Sequence, residues 1–190
     1  MPTDAELIGW SLGGDRNAFV EVTQRHAGAV WGYLVRRAGR EAAGDLLGDV
    51  WTEAFASRGR YDRSYPDAGP WLFGVAANIL RRHWRRATHQ PNCVPCDPTP
   101  EPSVDPWDGI DDLLDGASLL RAALSRLRRS ERDVLCLVVW EQLSVAEAAR
   151  SLGVPPGTAR RHLHDARVRL RGDPAILAVL TALSGVKEPT

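Results

Sequence analysis

With 190 residues, 44% of them hydrophobic, the chain is long enough for one ordinary domain or two small ones with real cores. No apolar run approaches the ~18 residues of a membrane span, the opening MPTDAELIGW lacks a signal peptide's basic start and apolar stretch, and three cysteines make no disulfide framework, so the expected setting is a reducing cytoplasm. The formal net charge of zero hides an uneven distribution: residues 1–89 carry +2, residues 90–116 carry −7 and residues 117–190 carry +5.

The first 89 residues read as all-helical. A helix over Asp4 to Leu12 stops at Gly13-Gly14. Asp15 suits the N-cap of the next helix, where Phe19, Val22, His26, Ala29, Val30, Tyr33 and Leu34 follow helical spacing. His26 reads as a core or boundary residue rather than a ligand. A third helix is predicted from Glu41 to Ser57, with Leu47, Val50, Trp51, Ala54 and Phe55 as its stripe. A polar loop from Arg58 follows, and Gly69 and Pro70 suit the N-cap and first position of a helix running to about Arg86. That helix buries Leu72, Val75, Ala76 and Ile79 and ends in a basic, aromatic tip, RRHWRR.

Residues 90–116 hold six prolines and seven acids with few apolar groups. Such a composition cannot repay the entropy of ordering and predicts a flexible tether with a maximum reach of about 90 Å. A second helical domain, residues 117–172, opens with Leu119, Leu120, Ala123, Leu124 and Leu127 on one stripe. Ser130 suits the cap of the next helix, which carries Val134, Leu135, Leu137, Val138 and Leu143. The residues from 173 to 190 predict a short closing helix.

Leu143 to Arg171 carries the strongest chemical signal. Ser144 and Glu147 have the spacing of a capping box, Gly153 ends that helix, and Pro155 and Pro156 suit the first turn of another. In the second helix Ala159, Leu163, Ala166 and Leu170 share one face, and Arg160, Arg161, His164, Arg167 and Arg171 fall mostly off it. A short apolar stripe docks such a helix on a small core and leaves its cations free for phosphates and base edges in a major groove.

Two separated segments together resemble the sigma-70 family of bacterial RNA polymerase sigma factors, of the compact extracytoplasmic-function (ECF) type. AAGDLLGDVWTEAFASRGRYD is similar to region 2.2, GPWLFGVAANILRRHWRR to regions 2.3 and 2.4, and LSRLRRSERDVLCLVVWEQLSVAEAARSLGVPPGTARRHLHDARVRLR to region 4. The resemblance implies an all-α fold of two small helical domains, a region 2 bundle (1–89) and a region 4 helix-turn-helix (117–172), joined by the acidic, Pro-rich linker. It implies docking of Asp45, Leu46, Asp49, Val50 and Glu53 on the clamp helices of the polymerase largest subunit, and contact of region 4 with the flap. The four-residue spacing of Asp45, Asp49 and Glu53 lines their carboxylates on one helix face, which suits a basic coiled-coil partner. The −10 element and its melted strand fall by resemblance to Arg60, Tyr61, Asp62 and Arg63 in the loop and Trp71, Asn78, Arg81, Arg82, Arg85 and Arg86 on the helix. Tyr61, Tyr65, Trp71 and Trp84 are candidate stacking surfaces for unstacked bases. The −35 element falls to Pro156, Gly157, Thr158, Arg160, Arg161, His164 and Arg167. An anti-sigma factor is a further implied partner. No cofactor, membrane association or catalytic activity is implied. The chain departs from the family pattern at Pro155, at Ala159, where a valine is common, and in the unusually basic tip RRHWRR.

Two other readings stay open on the residues. One is a helix-turn-helix regulator that is not a polymerase subunit, with the first domain a sensor or dimerisation module. The other is a zinc or thiol sensor built on His89, Cys93 and Cys96, whose H-x3-C-x2-C spacing offers three ligands where structural zinc takes four. Cys136, on an apolar helix face, reads as core.

Overall fold

The computed structural model describes residues 1–88 and 123–171, and among them every regular element is helical. The chain divides into two units, Met1–Gly109 and Ile110–Thr190, a boundary that falls inside the predicted tether. The tether, the closing helix and the His89, Cys93 and Cys96 set lie outside the described residues.

The first unit holds α1 (Asp4–Leu12), α2 (Arg16–Ser57), a 3-10 turn (Arg58–Arg60) and α3 (Gly69–Thr88). Thr3 and Glu6 cap α1 reciprocally, a box the sequence pattern did not single out, and Asp15 Oδ1 accepts from the N–H groups of Asn17 and Ala18 at the start of α2. The two helices expected over residues 15–34 and 41–57 are two arms of α2, divided at Gly39. Gly39 is buried, with φ 78° and ψ 162°, a backbone region open in practice to glycine alone. Beyond that break the buried face is Ala43, Leu46, Val50 and Ala54. The predicted stripe therefore needs correction. Leu47 and Trp51 are half-buried, and Phe55 is exposed, its ring edge on to Phe19 (5.3 Å) with the Arg58 guanidinium over it. Ala29 is exposed as well. The first half of α3 is buried nearly all round, through Leu72, Phe73, Val75, Ala76, Ala77, Ile79 and Leu80. Together with Leu7, Ile8, Tyr33 and Leu34 these residues make the core of the unit.

One polar cluster clips α1 to the start of α3. Asp4, only 5% exposed, lies 2.6 Å from His26 Nε2, accepts from Arg25 Nη1 (3.1 Å) and accepts from the Ala68 N–H (2.9 Å). Arg25 also donates to Pro2 O and pairs with Glu21, while Asp67 caps α3 through the Gly69 N–H. Burial pushes the Asp4 carboxyl up, but the bonds from His26, Ala68 and Arg25 outweigh it and hold its pKa below the ordinary value. A depressed folded pKa means stability that is present above the unfolded value, about 3.9, and is lost as pH falls through the lower folded value. Asp4→Asn should therefore cost about 1–3 kcal/mol near neutral pH. The difference from the unsubstituted chain should shrink as pH falls below the ordinary carboxylate value, about 3.9, and through the lower folded one. Urea unfolding across pH measures both effects.

The second unit holds a helical stretch at 123–125, then α4 (Arg129–Val139), α5 (Val145–Leu152) and α6 (Pro156–Leu170). Ala123, Leu124, Leu127, Val134, Leu135, Leu137, Ala149, Leu163 and Leu170 form its core, and Cys136 is buried there with a free thiol. Ser130 is not the cap of α4. Arg128 stands at the N-cap, and its N–H donates to Glu131 Oε2 at 2.9 Å. Glu131, 1% exposed, also faces Arg169 Nε at 3.4 Å and so ties α6 to α4. Arg132, also buried, donates to the carbonyls of Leu124 and Leu127 and so ties α4 to the preceding turn.

Candidate functional site

The α5–α6 pair is built by local chemistry. Ser144 Oγ accepts from the Glu147 N–H (3.2 Å) and Glu147 Oε2 accepts from the Ser144 N–H (2.8 Å), a complete capping box. The Ser144 bonds hold the Glu147 carboxyl below its ordinary pKa. Gly153 closes α5 in the left-handed conformation, φ 67°, with its N–H on the carbonyls of Ala149 and Arg150. Pro155 then caps α6 and Pro156 is its first residue.

On α6 the division of faces is clean. Ala159, Leu163, Ala166 and Leu170 are buried, while Pro156, Gly157, Arg160, Arg161, His164 and Arg167 are exposed and Thr158 is half-buried. Arg161 faces Asp165 at 3.8 Å but remains 80% exposed, so the pair leaves the guanidinium available. Apart from half-buried Thr158, the residues predicted for this surface thus lie on the solvent side of one helix. Sequence reasoning missed Arg169, which turns back to Glu131 and fixes the tilt of α6.

The first unit presents two surfaces. On the second arm of α2, Asp45 and Asp49 are exposed and Glu53 is half-buried. Leu46 and Val50, which the resemblance assigns to the docking segment, are core residues, 4% and 0% exposed, and anchor this arm to the unit. Gly44 and Gly48 stand beside the two acids on the exposed side, and a Cβ on either would meet nothing within 4 Å.

The other surface is the loop and α3. Arg60, Asp62, Arg63 and Tyr65 are exposed. Tyr61 is 8% exposed, with its hydroxyl donating to Tyr65 O (2.6 Å) and its ring 5.2 Å from Trp71. It therefore braces the loop, while Tyr65 is 38% exposed. Trp71 and Trp84 are half-buried, and Arg37 lies over the Trp84 ring. Along α3, Asn78, Arg82, Arg85 and Arg86 are exposed and Arg81 is half-buried. Asn78 Oδ1 accepts from Arg81 Nη2 (2.7 Å), and Arg82 pairs with Glu53 of α2 at 3.0 Å. The tip is thus a row of cations beside aromatic rings, a surface suited to a nucleic-acid backbone and unstacked bases.

This order of parts has a counterpart among known proteins. A family model for Sigma-70 region 2 matches residues 22–90, and one for Sigma-70, region 4 matches residues 117–170. The chain belongs to the sigma-70 family. The RNA polymerase sigma factor CarQ of Myxococcus xanthus is 32% identical over 159 residues, which are 83% of this chain and 90% of CarQ. The ECF RNA polymerase sigma factor SigM of Mycobacterium tuberculosis is 31% identical over 172 residues, 88% of this chain and 83% of that one. In fold, the chain matches the solved structure of CnrH in complex with the cytosolic domain of CnrY, with a TM-score of 0.63 at 22% identity, covering 94% of this chain and 97% of the other. It also matches the sigma factor RpoE in complex with the anti-sigma factor NepR from Bartonella quintana, with a TM-score of 0.59 at 20% identity, covering 90% and 98%. The chain is a sigma factor of the ECF type, a subunit that directs RNA polymerase core to promoters.

Proposed function

We propose that this sigma factor divides its work between the two units as follows. Asp45, Asp49 and Glu53 dock on a basic coiled coil of the polymerase, α3 and its preceding loop hold and open the −10 element, and α6 reads the −35 element in the major groove. The observation that carries this reading is the exposed cationic face of α6, set on a capped helix-turn-helix inside the segment that matches region 4. Opening needs no nucleotide hydrolysis in this scheme. Stacking one base contributes about 1–3 kcal/mol, comparable to the few kcal/mol that unstacking it costs. The chemistry of RNA synthesis stays with the polymerase, and this subunit contributes no catalytic group. With polymerase as its partner the protein works in the cytoplasm, and among the described residues no helix is long and apolar enough to cross a membrane. Since CnrH and RpoE are solved with CnrY and an anti-sigma factor respectively, we extend an anti-sigma partner to this chain too.

Reconstitution with core polymerase, followed by sequencing of transcript 5′ ends, tests the scheme. Shared −10 and −35 boxes upstream of the starts support it, and failure to associate with core refutes it. The rival reading, a regulator outside the polymerase, leaves the region 2 match over residues 22–90 without a role.

Gly44 and Gly48 give a second handle on docking. Each sits within a helix, where glycine is about 1 kcal/mol less favourable than alanine, and neither is needed for internal packing. Gly44→Ala with Gly48→Ala should raise the melting temperature of the free protein, yet weaken its association with core by filling the space a partner helix approaches. Thermal unfolding and a core-binding titration read the two opposite signs. A gain in stability with unchanged binding would remove the glycines from the docking face.

A further inference from the structure

Asp4, His26 and Asp67 come from three parts of the first unit: the start of α1, the first arm of α2 and the residues that lead into α3. One ligating atom of each lies within 4.8 Å of the other two. His26 Nε2 stands 2.6 Å from Asp4 Oδ2 and 3.8 Å from Asp67 Oδ1. Backbone groups aim the two carboxylates, since the Ala68 N–H donates to Asp4 Oδ2 (2.9 Å) and the Gly69 N–H to Asp67 Oδ1 (2.8 Å). Gly69 also leaves the room in which they converge. A Cβ there would come within 3.1 Å of Asp67 Oδ1 and 3.6 Å of His26 Cε1. The Asp4 side chain is 6% exposed and that of Asp67 is 65% exposed, so the set has a buried floor and one side open to water.

A proton between Nε2 and Asp4 Oδ2 accounts for the 2.6 Å contact, but it leaves Asp67 Oδ1, at 3.8 Å, beyond hydrogen-bond reach of the same nitrogen. A divalent cation in that proton's place is attracted to all three atoms at once. We infer that Asp4, His26 and Asp67 bind one divalent ion of the zinc class. One imidazole with two carboxylates suits zinc and its transition-metal neighbours, whereas magnesium and calcium take oxygen ligands. At metal–ligand distances of about 2.0–2.1 Å, the corners of a tetrahedral site are about 3.3 Å apart. That spacing falls between the 2.6 and 3.8 Å seen here, so small side-chain rotations close the site. Water takes the fourth position on the open side. Arg25 keeps its place on the other oxygen of Asp4, at 3.1 Å, and offsets one of the two negative charges. The ion joins α1, α2 and the entry to α3, so its binding stabilises the first unit.

Zinc chloride titrated into the full chain, read by calorimetry and by thermal unfolding, tests the site. One equivalent should bind, and the melting temperature should climb as zinc is raised above its dissociation constant. In Asp67→Asn the amide oxygen can still cap α3, so the melt without zinc should hold. Its zinc affinity should fall by more than the about 10–100-fold that losing a supporting hydrogen bond costs. His26→Gln should lose at least as much. Cys93→Ser with Cys96→Ser should bind as the unsubstituted chain does, which separates this site from the other candidate ligands of the sequence. Four results overturn the inference: no rise in melting temperature with zinc, an equal rise with magnesium, unchanged zinc affinity in Asp67→Asn, or binding lost with the two cysteines. Each of them leaves polymerase docking and promoter use untouched.

Discussion

Asp45→Lys with Asp49→Lys should weaken association with core polymerase about a hundredfold at low salt, with the loss narrowing as salt rises. The two carboxylates are a helical turn apart and exposed, so they sit side by side on the second arm of α2. Reversing both shifts the local charge by four units against a basic partner. The fold should be spared. Neither acid makes an ion pair among the described residues, and exposed substitutions of this kind usually stay within about 0.5 kcal/mol. The core of this arm is Ala43, Leu46, Val50 and Ala54, which the double variant leaves alone. A binding titration across ionic strength, run beside a thermal melt, separates impaired docking from impaired folding. Unchanged affinity would move the polymerase to another face.

Arg160→Ala with Arg161→Ala should reduce binding to −35 duplex about 10- to 100-fold and flatten its salt dependence. Every phosphate the variant no longer neutralises should lower the slope of log affinity against log salt by about 0.9. Both side chains are exposed, and neither belongs to the buried stripe that seats α6. Arg161 leaves behind Asp165, its partner at 3.8 Å, which then faces the duplex as an unopposed anion and weakens binding further. The two arginines are separable by their signatures. A phosphate contact weakens all sequences alike, whereas a base contact relaxes specificity at one position. Duplex titrations with single base changes, at two salt concentrations, distinguish these cases. Equal binding by the double variant would contradict the assignment of α6 to DNA.

The features legible in the chain are those fixed by near neighbours. Asp15, Ser144 with Glu147, and Gly153 announce helix ends because the atoms they satisfy lie within four residues. The faces of α3 and α6 are legible for a related reason, since a strong apolar period leaves a helix few ways to lie. What escapes is long-range. Asp4 is bound to Ala68, 64 residues away, and nothing in the spacing of either residue announces it. Ser130 has the chemistry of a cap, yet α4 starts earlier, at Arg129, because Glu131 reaches back to the Arg128 N–H. The stripe after Gly39 departs from the expected one in phase: Ala43 and Leu46 are buried beside Val50 and Ala54, and Phe55 lies in solvent. Family resemblance marks Leu46 and Val50 as part of a docking segment, but only the neighbouring acids face outward. Tyr61 shows the limit for aromatic residues, where composition cannot tell a ring that braces a loop from one that waits for a base.

On the proposed assignment, the salt bridge from Glu53 to Arg82 joins a residue of the docking face to a residue of the promoter face. The border between those two territories is thus one ion pair wide. On that assignment, a protein neighbour that attracts Glu53 would release Arg82 to nucleic acid, and an anion that captures Arg82 would release Glu53 to the protein neighbour. Each arrival would then ease the other, by no more than the small worth of one exposed ion pair.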